Sequence, residues 1–542
     1  MLYQLTVSQT PVTVIAAVLL LAVTGRPVES AEFEQRVAKQ WFPFVEWQVD
    51  AVMLEDAVNP FDVVAWAVFD HDESGETIRT GMFYDGDGTW KFRFTGTKVG
   101  RWTFETSSDD AAKLDGLRGS VEVEANDDAV LGRGFVTNVE HQWTWSGSGQ
   151  AFVPQLVMGT SIHLYHQDPE QIEADLDRWY AEHGFNGIHT GVAMRWYDIH
   201  RDRRDADADV RVAGDSPREE RDFGPMEKNP NPDPRTFETL ERLITASYEA
   251  GGMVHLWKWG DENRTMTPAG LAGGINGEAD KRLQRYIAAR LGPLPGWTMG
   301  YGFDLWEWVS EDQLVSWHSH MHQQMGWSHL LGGRTHRHGT PLEDLMTHRL
   351  DYIGFETHQP NLQMYTKALA LHPQKPVFME DRFRVREPSP YPDKDYTPEM
   401  VRRGMWHSMM AGGVANIWGY MPGATGESEP FPNRAQLKTY ATFHDRYFRS
   451  DMMRDDDRTN GICLKASDES LLLFYREDAE TLRMDLRSVA GELRAVAVNT
   501  REAYEEIELD GVSGDVHWQA PIEGDWAVVV TKRASTPGEP RR

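Results

Sequence analysis

The chain contains a single cysteine, Cys463, so no internal disulfide can form and stability must come from packed cores. Cys463 sits in an apolar alternating stretch and reads as a small buried residue. Basic residues are scarce as well. The 55 Lys and Arg stand against 84 Asp and Glu, and the resulting formal charge of −29 argues against nucleic acid and anionic membranes as bulk partners. A phosphate-cradling glycine loop, a dinucleotide fingerprint and a GxSxG elbow are all missing, and no cofactor is expected. Beyond residue 25 there is no apolar run of membrane-spanning length.

The one early apolar run, Pro11 to Gly25, is followed by Val28 and Ser30, small residues that suit a signal peptidase. Residues 1–31 are therefore expected to be a secretory signal, although the first ten residues carry no Lys or Arg. The expected mature protein is soluble, secreted or periplasmic, and has no membrane contact after cleavage.

Residues 32–130 show short alternating runs broken by Gly and Asp, such as VVAWAVFD and KFRFTGTKVGRWTFET, which predicts an antiparallel β-sandwich. Its Asp85–Gly88 turn reads as a solvated hairpin turn. Residues 131–452 alternate apolar strands with amphipathic helices. Strands are expected at 155–162, 186–194, 252–259, 298–306, 328–333, 351–356, 375–380 and 413–419, which together make a (β/α)8 TIM barrel. Ser310 with Gln313 marks a capping box, and Thr397 with Pro398 marks a helix start. The stretch from Tyr197 to Arg235 interrupts the rhythm as an excursion over the barrel mouth. Alternation returns over 453–534, a second antiparallel β-sandwich, and 535–542 is expected to be a disordered tail. The fold class is thus a multidomain chain with a TIM barrel flanked by two antiparallel β-sandwich domains.

Within the first sandwich, Phe83 to Phe94 followed by Gly100-Arg101-Trp102-Thr103-Phe104 resembles the domain that precedes the barrel in many secreted bacterial polysaccharide hydrolases. Leu156-Val157-Met158-Gly159-Thr160, Gly184-Phe185-Asn186-Gly187-Ile188 and Met410 to Gly419 follow in order, and Asp-Trp-Ala-Val-Val-Val closes the last domain. Together these resemble the secreted clan A glycoside hydrolases with apiosidase-like barrels. The resemblance implies retaining hydrolysis, with the nucleophile at the end of strand seven and the acid/base at the end of strand four. Carried over residue by residue, this makes Glu380 the nucleophile and Glu307 the acid/base. Asp304 is the alternative acid, because Trp306 stands where many clan members have Asn before the acid/base.

Other strand ends supply candidate substrate contacts: His163 after strand one, Arg195 after strand two, Trp257, Lys258 and Trp259 on strand three, and Arg334 and His336 after strand five. His358 follows strand six, Arg382 strand seven, and Trp418 on strand eight is expected to be a sugar-stacking floor. Basic residues gathered at one face of an acidic protein point to an anionic ligand. The expected partner is an anionic polysaccharide or oligosaccharide, with algal sulfated galactans such as carrageenan or porphyran as the leading class. Two alternatives stay open: a polysaccharide lyase acting beside a uronate, and a carbohydrate-binding barrel without activity. The sequence leaves oligomeric state open. No metal site is expected at His318-x-His320-x-His322, because 318 and 322 share a helix face, 320 points elsewhere, and no acidic partner is marked.

Overall fold

The structure is a computed structural model that describes residues 32–532, apart from 56, 160–168, 193–195, 198–228, 261–266, 345–348, 382–384, 386–390 and 421–430. The expected signal segment, most of the 197–235 excursion and the C-terminal tail lie outside the described residues. Among the described residues no helix is long and apolar enough to cross a membrane.

The N-terminal unit is built from β1 (Arg36–Lys39), β2 (Val45–Val49), β3 (Trp66–His71), β4 (Thr77–Gly81), β5 (Phe83–Gly86), β6 (Thr89–Phe94), β7 (Gly100–Ser107) and β8 (Arg118–Glu124). Five strands in the order β1-β8-β7-β3-β4 and three in the order β2-β6-β5 enclose a core of Trp47, Phe69, Phe92, Trp102 and Phe104. The expected antiparallel pairing holds except at the edge, where β1 runs parallel to β8. Asp87 and Gly88, with φ of 48° and 74°, form the two-residue hairpin turn between β5 and β6, a left-handed geometry that Asp tolerates and Gly favours. Arg93 fixes this unit to the barrel by binding Glu241 at 2.8 Å and the Arg290 carbonyl at 2.9 Å.

A hairpin of β9 (Val136–Val139) and β10 (Gln142–Trp145) leads into the barrel. Trp143 and Trp145 pack among the barrel's interior residues, including Leu156, Met253, Tyr352 and Phe378, and the Trp143 indole donates to the Val377 carbonyl at 3.3 Å. Val377 opens its strand, so the hairpin plugs the N-terminal end of the barrel.

The barrel strands are β11 (Gln155–Met158), β12 (Gly187–Gly191), β13 (Met253–Trp257), β14 (Trp297–Gly300), β15 (Leu331–Gly332), β16 (Ile353–Phe355), β17 (Val377–Met379) and β18 (Val414–Tyr420). They form one eight-stranded parallel sheet, and a parallel bridge between Arg334 and Gly354 joins its two edges. The helices are α1 (Pro169–Leu176), α2 (Pro234–Glu249), α3 (Glu278–Leu291), α4 (Glu311–Gln324), α5 (Leu362–Leu371), α6 (Pro398–Ala411) and α7 (Arg434–Tyr447). Both expected helix starts are present, with a reciprocal Ser310–Gln313 capping box on α4 and Thr397 accepting from Met400 N–H on α6. Strand four is shorter than expected. It ends at Gly300, and Leu305–Glu307 form a 3-10 turn beyond it.

The C-terminal unit is a single antiparallel sheet in the order β19 (Met452–Arg454), β20 (Ile462–Ala466), β21 (Leu471–Asp485), β24 (Asp515–Lys532), β22 (Leu493–Asn499) and β23 (Ile507–Leu509). The long pair β21 and β24 breaks register near Ala479, and a bridge from Met484 back to Thr459 curls the sheet onto itself. The curled sheet encloses a core of Cys463, Phe474, Leu482 and Trp526. Its other face meets α6, where Tyr475 stacks on Trp406 at 5.3 Å.

Candidate active site

Side chains alternate across a strand, so each barrel strand offers one parity to the interior and the other to the helices. On β17, Phe378 faces inward while Val377 and Met379 pack toward α5, and Glu380 continues the inward parity just past the strand end. It is fully buried. Tyr352 donates to Glu380 Oε1 at 2.6 Å, and His255 Nε2 lies 3.1 Å from the same oxygen. His255 also meets the Tyr352 hydroxyl at 3.1 Å, and its Nδ1 faces His189 Nδ1 at 2.8 Å. Burial, and then the charge of Glu380, push the Tyr352 phenol well above its ordinary pKa, which keeps it a donor. Among the described residues, Glu380 Oε2 has no hydrogen-bond partner. A buried carboxylate with one oxygen held twice and the other unengaged is oriented for use.

Above Glu380 lies Arg334, which donates to Asp381 at 3.0 Å and to the Glu380 carbonyl at 3.4 Å and pairs with Asp304 through its other terminal nitrogen. Burial opposes its charge, yet Asp381, Asp304, Glu356 and Glu380 together hold its pKa above the usual guanidinium value. Arg334 closes the floor of a cavity of about 350 Å³ that Asp304, Trp306, Arg337, Glu356, His358 and Lys394 help to line. His338 stacks on His358 with ring centres 3.7 Å apart, and His358 meets Glu356 at 3.3 Å. Burial lowers the His358 pKa, as do His338 and Lys394. Asp304 adopts a left-handed backbone, φ 50°, an uncommon conformation for a residue other than glycine and one concentrated at functional positions. Glu356, His358 and Asp381 bring ligand-type atoms within 4.8 Å of one another, but the Arg334 guanidinium already supplies the cation there.

Several expected contacts lie elsewhere. Glu307 is exposed on the 3-10 turn, outside the cavity lining, because the chain leaves strand four at Gly300 and the turn re-aims it. Lys258 has outward parity and is fully buried in an ion pair with Asp280 of α3. Trp259 is buried against Tyr197. Trp257 faces the barrel interior, packed on His189 and Phe303. Trp418 is no sugar platform: Ala415 and Ile417 take the inward positions of β18, and Trp418 packs toward Gly404 of α6 while its indole donates to Gln155 at 2.6 Å. His336 turns into its own loop, with Nε2 2.8 Å from the Thr340 carbonyl. Arg334 and His358 do line the cavity. His163, Arg195 and Arg382 lie outside the described residues.

His189, His255, Tyr352 and Lys394 were not among the residues expected from sequence at this site. The signal available for the first two was a histidine at the centre of each apolar strand, GIHTG and MVHLW, on the parity that faces inward.

This architecture has solved counterparts. The structure of a candidate glycoside hydrolase from Bacteroides vulgatus ATCC 8482 superposes with a TM-score of 0.69 at 16% identity, covering 92% of this chain and 100% of that one. The two chains share a fold. A glycoside hydrolase family 5 structure from the same organism gives a TM-score of 0.55 at 14% identity over 74% of this chain and 94% of the other. A third, described simply as a glycoside hydrolase, gives 0.52 at 15% identity over 74% and 97%. Residues 38–109 match the family model DUF5060, a domain of unknown function. No curated protein matches the chain at a significant level.

Proposed function

We propose that the chain is an exported, retaining glycoside hydrolase that cleaves an anionic polysaccharide, with sulfated galactans of the carrageenan or porphyran type as the leading substrate class. The observation that carries this reading is Glu380: Oε1 is held by Tyr352 and His255, Oε2 is unengaged, and a cavity bearing Arg334, Arg337 and Lys394 lies above it. In the first step Glu380 Oε2 bonds to the anomeric carbon while an acid protonates the departing glycosidic oxygen. In the second step the same acid, now a base, takes a proton from water, whose oxygen displaces Glu380 with net retention. Asp304 is the carboxylate that the strand-four loop presents to the cavity, and we assign it the acid/base role in place of Glu307. Glu380 has no exposed surface, and Arg334 of the cavity lining holds its backbone carbonyl at 3.4 Å. A sulfate or carboxylate on the substrate is the group that the cations lining this cavity, Arg334, Arg337 and Lys394, would pair with.

The test is incubation with neutral, sulfated and uronate-bearing polysaccharides, followed by mass spectrometry of the released oligosaccharides. Products that include the added water, from a sulfated polymer, support the reading. Products lacking that water identify a lyase, and hydrolysis confined to neutral polymers removes the anionic substrate.

A further inference from the structure

The side of α4 away from the mouth carries a second cluster. His318 and His322, four residues apart on one helix face, both turn toward Asp351, which lies on the segment leading into β16. His318 Nε2 is 3.0 Å from Asp351 Oδ1, and His322 Nε2 is 2.8 Å from Oδ2. The two rings meet edge to face with centres 4.4 Å apart. Asp351 Oδ2 also accepts the Leu331 N–H at 2.9 Å, which fixes the carboxylate to β15 before any ligand arrives. This is the acidic partner that sequence spacing did not mark.

We propose that His318, His322 and Asp351 form a binding site for a late first-row divalent cation of the Zn²⁺ class on the outer wall of the barrel. The three ligand-type atoms lie within 4.8 Å of one another. Tetrahedral Zn²⁺ with bonds of about 2.0–2.2 Å places its ligand atoms roughly 3.3 Å apart, so a shift of less than about 1 Å at each donor admits the ion. Two imidazoles with one carboxylate suit Zn²⁺, Cu²⁺ or Ni²⁺, whereas Ca²⁺ and Mg²⁺ call for an oxygen-rich set. Side-chain exposures of 16% for His318, 30% for His322 and 25% for Asp351 leave room for water to complete the shell. The Leu331 N–H acts as the supporting contact that orients a ligating carboxylate. Without metal, His322 Nε2 hydrogen-bonds the carboxylate at 2.8 Å while His318 Nε2 lies 3.0 Å from it outside hydrogen-bond geometry; metal binding replaces any imidazole proton held there and releases it to solvent. The bound ion would cross-link α4 to the β15–β16 edge of the barrel, the part of the wall joined by only a single bridge.

The experiment uses chelator-treated full-length protein titrated with Zn²⁺ and, for spectroscopy, Co²⁺. The expected result is one ion per chain, a visible Co²⁺ absorption typical of nitrogen ligation, proton release on binding, and a rise in Tm with Zn²⁺. His318→Ala and His322→Ala are each expected to weaken binding at least about tenfold and abolish the Tm rise, while His320→Ala leaves both intact. Melting the variants in chelator shows whether they fold as the unsubstituted protein does. Absence of a Zn²⁺-dependent Tm rise overturns the proposal, as does retention of affinity in His318→Ala. Loss of binding in His358→Ala with retention in His318→Ala moves the ion to the mouth and overturns it equally.

Discussion

A methyl group on Gly354 would stand 2.7 Å from Oε2 of Glu380 and 2.3 Å from the Gly333 carbonyl oxygen. Neither contact is tolerable, so the absence of a side chain at 354 is what lets the carboxylate occupy the barrel interior. Gly354→Ala is expected to lose activity and to cost about 1–3 kcal/mol of stability through displaced backbone. Assays beside denaturant melts check this, and a fully active, equally stable variant contradicts it.

Glu380→Gln keeps the shape of the side chain but removes its nucleophilic charge. Hydrolysis is expected to fall on the order of 10³-fold or more in kcat while polysaccharide binding persists. Tyr352→Phe removes the 2.6 Å donor to Oε1 and leaves His255 as the only support, for a loss of about 10²-fold through misorientation. Steady-state kinetics with a binding assay separates the two effects.

The two candidate acids differ in position, so their amides should differ in rate. Asp304→Asn is expected to lower kcat by about 10²–10⁴-fold, and Glu307→Gln to leave it unchanged. The reverse pattern restores Glu307 to the chemistry.

Arg337 and Lys394 are exposed cavity residues, so replacing them tests substrate charge without unsettling the core. Arg337→Ala and Lys394→Ala should each raise KM for a sulfated polymer by about tenfold, the value of one charge-assisted contact. Added salt should narrow that difference, because exposed charges are screened. An equal change in KM for a neutral polymer removes charge recognition from these residues.

Asp525 couples the C-terminal sheet to the barrel through Arg402 at 2.7 Å and Arg403 at 3.1 Å, and also binds Arg501 at 2.7 Å. Burial alone would raise its pKa, but the Asp478 N–H and the arginines bring it from 3.8 down to about 2. A depressed carboxylate contributes stability above its unfolded pKa and loses it as pH falls through the folded value. Asp525→Asn is therefore expected to cost up to about 2 kcal/mol at neutral pH, with the gap to the unsubstituted protein closing between about pH 4 and pH 2. Thermal melts at pH 7 and pH 3 measure it, and a gap that does not change with pH refutes the assignment.

The repeat of strand and helix was legible because each barrel strand is a short apolar run and most helices carry a cap or an apolar stripe. All eight barrel strands overlap the stretches expected from sequence, with β14 starting one residue earlier and β18 ending one residue later. What remained hidden depends on parity and on chain exits. Lys258 and Trp418 lie near or within strands that approach the mouth, but each occupies the outward parity, so helices α3 and α6 absorb them. Glu307 looked like a strand end because its neighbours are apolar, whereas a left-handed residue at Asp304 turns the chain first. His255 of β13 and Tyr352, just before β16, meet on one carboxylate while His189 of β12 backs His255, and no local pattern announces that convergence.

The tryptophan hairpin beneath the barrel makes the site a blind well. Trp143 and Trp145 seal the lower end, so every atom that reaches Glu380 arrives through the rim and leaves by the same route. A polymer cannot be drawn through such a vessel. On the proposed activity, it would lie across the opening and dip one linkage inward, and the freed fragment would back out before the next bond is presented.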